Sequence, residues 1–182
     1  MVTTSVQLPG FNSPAVGFEQ PFEMLEACHE RVQRSLALLQ RIVEHIDAHG
    51  HGAPSRAAAG DVLRYFDIAG PHHHEDEERH VFPALLEHPD RSVRAAVAQL
   101  QADHVWMQAA WARLREVLLR WRDDDAAPAV TDEERALVAD FADAYARHIP
   151  LEEAVAYPAA QRLLDEARLR RIGDEMAARR RG

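Results

Sequence analysis

Apolar residues recur at threes and fours over residues 21–48, where Phe22, Leu25, Val32, Leu36, Leu39, Val43 and Ile46 form one stripe of a predicted first helix. Pro21 suits its first turn, and the segment around Gly50, Gly52 and Pro54 ends it. Ser55 is expected to cap a second helix that carries Val62, Leu63, Phe66 and Phe82 to about Leu86. Interruptions are expected in it at Gly70-Pro71 and at Pro83. After a turn at Pro89-Asp90, a third helix reads from Ser92 through Val97, Leu100, Val105, Leu114 and Leu118 to Trp121. The acidic, proline-containing stretch 123–130 breaks the pattern, and Thr131 with Glu134 reads as a capping box opening a fourth helix. That helix carries Leu137, Val138, Phe141, Tyr145, Val155 and Leu163, with Pro150 and Pro158 inside it. The predicted architecture is all-α: an antiparallel up-and-down four-helix bundle over residues 21–165, with an irregular N-terminal arm (1–20) and a short C-terminal helix and tail (166–182).

The chain has 182 residues, 47% of them hydrophobic, enough for one domain with a core. No apolar run is long enough to span a bilayer, and residues 1–9 do not read as a secretory signal, so a cytoplasmic home away from the membrane is expected. The lone cysteine, Cys28, has no partner for an internal disulfide and reads as a core residue. A formal net charge of −9 argues against nucleic-acid binding. The local run Arg168, Arg170, Arg171, Arg179, Arg180 and Arg181 reads as a solvated helix end. The unusual feature is the eleven histidines.

An internal repeat sorts them. At an offset of 75 residues His29 falls on His104, His73 on His148, Glu77 on Glu152, Glu78 on Glu153, Phe82 on Tyr157 and Pro83 on Pro158, with Gln33 on Gln108. Each half therefore offers one histidine from its first helix and a His-x-x-x-Glu pair from its second, and residues four apart share a helix face. The other seven histidines (His45, His49, His51, His72, His74, His80 and His88) lack a matching histidine and read as loop or surface residues. Of these, His80 is a candidate for contact with the site from one side. Burying four imidazoles and two carboxylates among apolar stripes is costly without compensating cations. Six nitrogen and oxygen ligands without thiolate exceed the usual structural zinc set and suit iron or manganese. The predicted ligands are His29, His73, Glu77, His104, His148 and Glu152. Glu78 and Glu153 are further ligands, acceptors behind the imidazoles or solvated flanking charges, and Gln33 and Gln108 are outer donors, weak ligands or ordinary helix glutamines. Tyr65, Tyr145, Tyr157, Trp106, Trp111 and Trp121 read as core aromatics.

His29, then His73-His74-x-x-Glu77-Glu78 leading to Phe82-Pro83, then His104, then His148-x-x-x-Glu152-Glu153 leading to Tyr157-Pro158, resembles the hemerythrin-like, HHE cation-binding family. The resemblance covers roughly residues 20 to 165. It implies a non-haem di-iron centre inside the bundle, with a bridging oxo or hydroxo group and with manganese or zinc as possible substitutes. It also implies that Glu77 and Glu152 bridge the ions and that two histidines terminate each, without saying which two. Oxygen-carrying hemerythrins have a fifth histidine four residues beyond the first ligand of the third helix, and Gln108 stands there in this chain. More positions are then open to oxygen, nitric oxide or hydrogen peroxide, in sensing or in protection against oxidative or nitrosative stress. The same ligands suit an iron-dependent oxidase or peroxidase-like enzyme, or an iron-responsive module with a protein partner.

Overall fold

A computed structural model describes residues 17–124, 127 and 129–181. Of the expected N-terminal arm, residues 1–16 lie outside the described residues, and 17–20 turn into the first helix. The described residues are all-helical, without a strand, in six α-helices: α1 Pro21–His49, α2 Ala53–Asp76, α3 Arg91–Asp123, α4 Asp132–Leu151, α5 Tyr157–Gln161 and α6 Glu166–Arg179. None is long and apolar enough to cross a membrane.

The punctuation follows local chemistry. Gly50 ends α1 at a φ of 76°, where its N–H reaches the Ile46 carbonyl at 2.8 Å. At the start of α2 it is Gly52, not Ser55, that occupies the cap position. Ser55 sits one turn inside, with its hydroxyl accepting from the Gly52 N–H at 3.0 Å. Asp90 caps α3 through the Ser92 N–H at 2.7 Å. The Thr131–Glu134 box forms in both directions, at 3.2 and 3.0 Å.

The expected break at Gly70-Pro71 does not occur, and α2 runs through it. The hydrogen-bond pattern changes instead at Glu77, where residues Glu77–Val81 widen into a π turn, and again at Glu152–Ala156. The two π turns are separated by the same 75-residue offset as the sequence repeat. Prolines explain them. In a straight α-helix the Pro83 ring would strike the Arg79 carbonyl, and Pro158 the carbonyl of Ala154. Lengthening the turn so that Phe82 N–H bonds to Glu77 O and Tyr157 N–H to Glu152 O makes room.

Packing runs α1 on α2, α2 on α3, α3 on α4 and α4 back on α1, which closes a ring. Its interior holds two separate apolar clusters. One gathers Leu36, Leu39, Ile42, Phe66, Leu114, Leu118, Trp121 and Phe141. The other gathers Phe22, Leu25, Phe82, Leu85, Val97, Leu100, Tyr157 and Met176. Along the chain His29, His73 with Glu77, His104 and Glu152 each fall between the stretches that supply the two clusters, and His148 sits beside Ile149 at the edge of the first. A polar layer is thereby sealed between two apolar ones.

The C-terminal helix is not a solvated end throughout. Arg179 and Arg180 both pair with the fully buried carboxylate of Asp76, Arg180 at 2.6 Å, and Met176 is buried in the second cluster. Close approach is helped by Gly173, where any Cβ would collide with the Phe18 carbonyl. Removing one side of a buried ion pair strands the other charge. An Arg179→Ala/Arg180→Ala variant should therefore lose about 3–5 kcal/mol of stability in denaturant unfolding. A loss below about 1 kcal/mol, the size of a surface pair, would contradict this role.

Candidate metal centre

His29 comes from α1, His73 from α2, His104 from α3 and His148 from α4, while Glu77 and Glu152 open the two π turns. The N–H of Glu77 still bonds to the His73 and His74 carbonyls, and that of Glu152 to the carbonyls of His148 and Ile149. The His-to-Glu spacing is therefore helical and keeps each pair on one face. The widening begins only beyond the glutamate and re-aims the residues after it.

The six side chains meet in one buried layer. Ligand atoms of His29, His73, Glu77 and Glu152 lie within 4.8 Å of one another, and so do those of Glu77, His104, His148 and Glu152. Both glutamates belong to both groups, while each histidine pair comes from one hairpin. Individual approaches are His29 Nε2 to Glu152 at 3.1 Å, His73 Nε2 to Glu77 at 3.5 Å, His104 Nε2 to Glu77 at 3.4 Å and His148 Nε2 to Glu152 at 2.7 Å. The Nε2 atoms of His104 and His148 face each other at 3.1 Å, where at most one can donate.

Outer ring nitrogens are backed by carboxylates. His29 Nδ1 lies 2.7 Å from Glu153, His104 Nδ1 2.9 Å from Glu78, and His148 Nδ1 3.4 Å from Asp103. That arrangement holds each imidazole with Nε2 inward, as metal ligation requires. It favours the reading of Glu78 and Glu153 as acceptors behind the imidazoles, and it adds Asp103. The 75-residue offset sets Asp103 against Cys28, which has no carboxylate, and the Nδ1 of His73 correspondingly has no hydrogen-bond partner. One ring donor also reaches the glutamates from outside the histidine set. The Tyr157 hydroxyl donates to Glu77 and lies 3.2 Å from His29 Nε2, whereas the repeat places Phe82 opposite it.

Electrostatically the layer couples its two carboxylates to the imidazoles around them. Burial and the charge of Glu152 push the Glu77 carboxyl up to about 7. Burial also opposes the charge on Glu152, but contacts from His104, His148 and His29 outweigh it and hold this carboxyl well below its usual range. Burial opposes the charged forms of His29 and His104 too, yet Glu152 and the neighbouring glutamates win, raising them to about 9 and about 10. His73 is held neutral by burial and by the charge on His29. Even so, Glu77 Oε2 and both oxygens of Glu152 make no hydrogen bond of good geometry while fully buried. An unmet buried acceptor costs about 1–3 kcal/mol, more when charged. Cations fit these donors: imidazole nitrogen and carboxylate oxygen converge, thiolate is absent from the layer, and protons on His29 and His104 fill the role poorly.

The remaining candidates separate clearly. Gln33 and Gln108 are exposed, and neither joins a ligand group among the described residues. His80 turns to α6, where its Nε2 lies 3.5 Å from Glu175. His45, His49, His72 and His88 lie at or near the surface. His74 departs from the surface reading. Its ring stacks on that of His104 with centroids 4.0 Å apart, and its nitrogens lie within 4.8 Å of ligand atoms of His104 and His148. Beside it a cavity of about 310 Å³ is lined by Phe66, Trp111, Phe141, Tyr145, Met107 and Gln108 and reaches His104.

The model of the hemerythrin HHE cation-binding domain matches residues 20–160. A protein of Haemophilus influenzae described only as uncharacterized is 29% identical over 167 residues, covering 90% of this chain and 91% of its own.

Metal and protons compete for the same nitrogens. At about pH 7 ferrous iron should displace between about two and three protons, those of His29 and His104 and part of one from Glu77, because all three are raised in the metal-free protein and must lose the proton to ligate. Apparent affinity should then climb with pH and level off only near 9 to 10. Calorimetry in buffers of different protonation enthalpy reads the proton count, and an affinity flat between about pH 6 and 8 would contradict it.

Proposed function

Because this chain belongs to the hemerythrin HHE cation-binding family, we propose that His29, His73, Glu77, His104, His148 and Glu152 hold two iron ions as a non-haem di-iron centre. The observation that carries the reading is the sharing of Glu77 and Glu152 between two four-residue ligand groups. In this reading both glutamates bridge, His29 and His73 terminate one ion, and His104 and His148 terminate the other. An oxo or hydroxo bridge completes the pair, and manganese or zinc fits the same donors. The surrounding scaffold is an antiparallel up-and-down four-helix bundle. Supporting this, the later part of α1 shares a cluster with the early part of α2, the later part of α3 and most of α4.

The protein then binds oxygen, nitric oxide or hydrogen peroxide in the cytoplasm, for sensing or for protection against oxidative or nitrosative stress. Iron supplies open coordination positions and a change of redox state. The chain's own residues do the rest. Glu153, Glu78 and Asp103 fix the imidazole rings, and the two apolar clusters cover the layer at both ends, which leaves the cavity beside His104 as its approach. Tyr157 keeps its proton, because burial and the charges of Glu77 and Glu152 push the phenol well up, and it offers that proton to Glu77. The net charge of −9 argues against nucleic acid as a partner.

The cavity beside His104 favours a second reading. Its volume of about 310 Å³ is several times that of a diatomic molecule, so an iron-dependent oxidase or peroxidase-like activity on an organic reductant is the alternative. Turnover with added reductant, against stoichiometric binding, separates the two.

Iron-loaded protein should change its optical spectrum on exposure to oxygen, nitric oxide or peroxide, and no change with any of the three would overturn the proposal. A His104→Ala variant should retain about half the iron of the wild type or less, since even outer partners of a ligand are worth about 10–100-fold in affinity. Full retention would remove His104 from the ligand set.

A further inference from the structure

The two halves of the layer differ on one flank. The repeat sets His74 against Ile149, which is buried in the first apolar cluster. His74 instead turns toward the position between His104 and His148. One ring nitrogen from each of the three histidines lies within 4.8 Å of the other two, in a group separate from the one that joins His104 and His148 to Glu77 and Glu152. The His74 ring is stacked on that of His104, at 17° and 4.0 Å between centroids, and meets His148 edge-on at 6.1 Å, so ligation beside His104 requires the His74 ring to turn about its Cβ–Cγ bond out of the stack. Both His74 and His104 line the cavity, as does Gln108, which is exposed.

We infer that His74 is a fifth imidazole ligand, joining His104 and His148 on one ion of the pair. The inference rests on the di-metal reading of the same layer. Oxygen-carrying hemerythrins supply a fifth histidine from the third helix, at the position of Gln108. Here α2 supplies it, from another residue that lines the same cavity. Three imidazoles then serve the ion at His104 and His148, and two serve the ion at His29 and His73. The ions are inequivalent, and open positions concentrate on the His29 side. The Tyr157 hydroxyl lies 3.2 Å from His29 Nε2 on that side, so an incoming small ligand would find a proton donor there. Ile149 fills the flank where a sixth imidazole would stand.

The test compares full-length wild type with His74→Ala and His74→Leu, each loaded with ferrous iron-57. Leucine fills the apolar wall without ligating, so it carries the comparison if the alanine variant loses helicity by circular dichroism. In the wild type Mössbauer spectra should resolve two different iron environments. In the variants one environment should change while the other persists, with affinity for one ion reduced at least about tenfold, the low end for a lost supporting group. Free imidazole entering the cavity should restore the lost signal in His74→Ala. If both variants keep two irons with wild-type spectra, His74 is not a ligand, and the six-residue proposal stands. If the wild type binds no iron pair, both proposals fall together.

Discussion

Two fully buried carboxylates, close enough to share the same neighbours, set the terms for this protein. Glu77 and Glu152 sit in a layer with four imidazoles, sealed above and below by apolar clusters. A buried anion is tolerated only with a compensating positive charge, and two adjacent ones repel. The surrounding features read as answers to that demand. Protons are drawn onto His29 and His104, Tyr157 donates to Glu77, and carboxylates stand behind three of the four rings. The next buried acid along, Asp76, is met separately by Arg179 and Arg180 of the C-terminal helix.

The backbone is shaped by the same layer. Each π turn starts on a buried glutamate and ends just before a proline, in both halves and at the same offset. The widening accommodates the proline, although α2 and α4 pass Pro71 and Pro150 without one, and it lets the chain leave the helical line after the glutamate has been placed. The glutamate's position is thus fixed by ordinary helix geometry from the histidine four residues earlier, while the aromatic residue beyond it is swung toward the layer. In one half that aromatic is Tyr157, which touches Glu77, and in the other it is Phe82, whose ring lies 5.5 Å from that of His104.

Much of this was legible in the chain. Apolar periodicity located the long helices to within a few residues, and Thr131 with Glu134 marked the start of α4. The 75-residue repeat singled out six residues that the structure brings into one layer. What escaped was of two kinds. Pairings between helices leave no periodic trace: Asp103 behind His148, Tyr157 on Glu77, and Arg179 and Arg180 on Asp76. Differences between the halves were filtered out by the very comparison that found the ligands. His74 faces Ile149 across the repeat and Asp103 faces Cys28, so a search for matched residues passes over both. The prolines at Pro83 and Pro158 did signal irregular backbone, but Pro71 sent the same signal and α2 continues through it.

On this account the sealed layer cages a pair of cations bridged by Glu77 and Glu152. Anomalous diffraction at the iron edge, from crystals of iron-loaded protein, tests it most directly. The account predicts two peaks about 3.5–4 Å apart, one flanked by His29 and His73 and the other by His104 and His148. A single peak, or iron bound only to surface histidines with the layer empty, would contradict it.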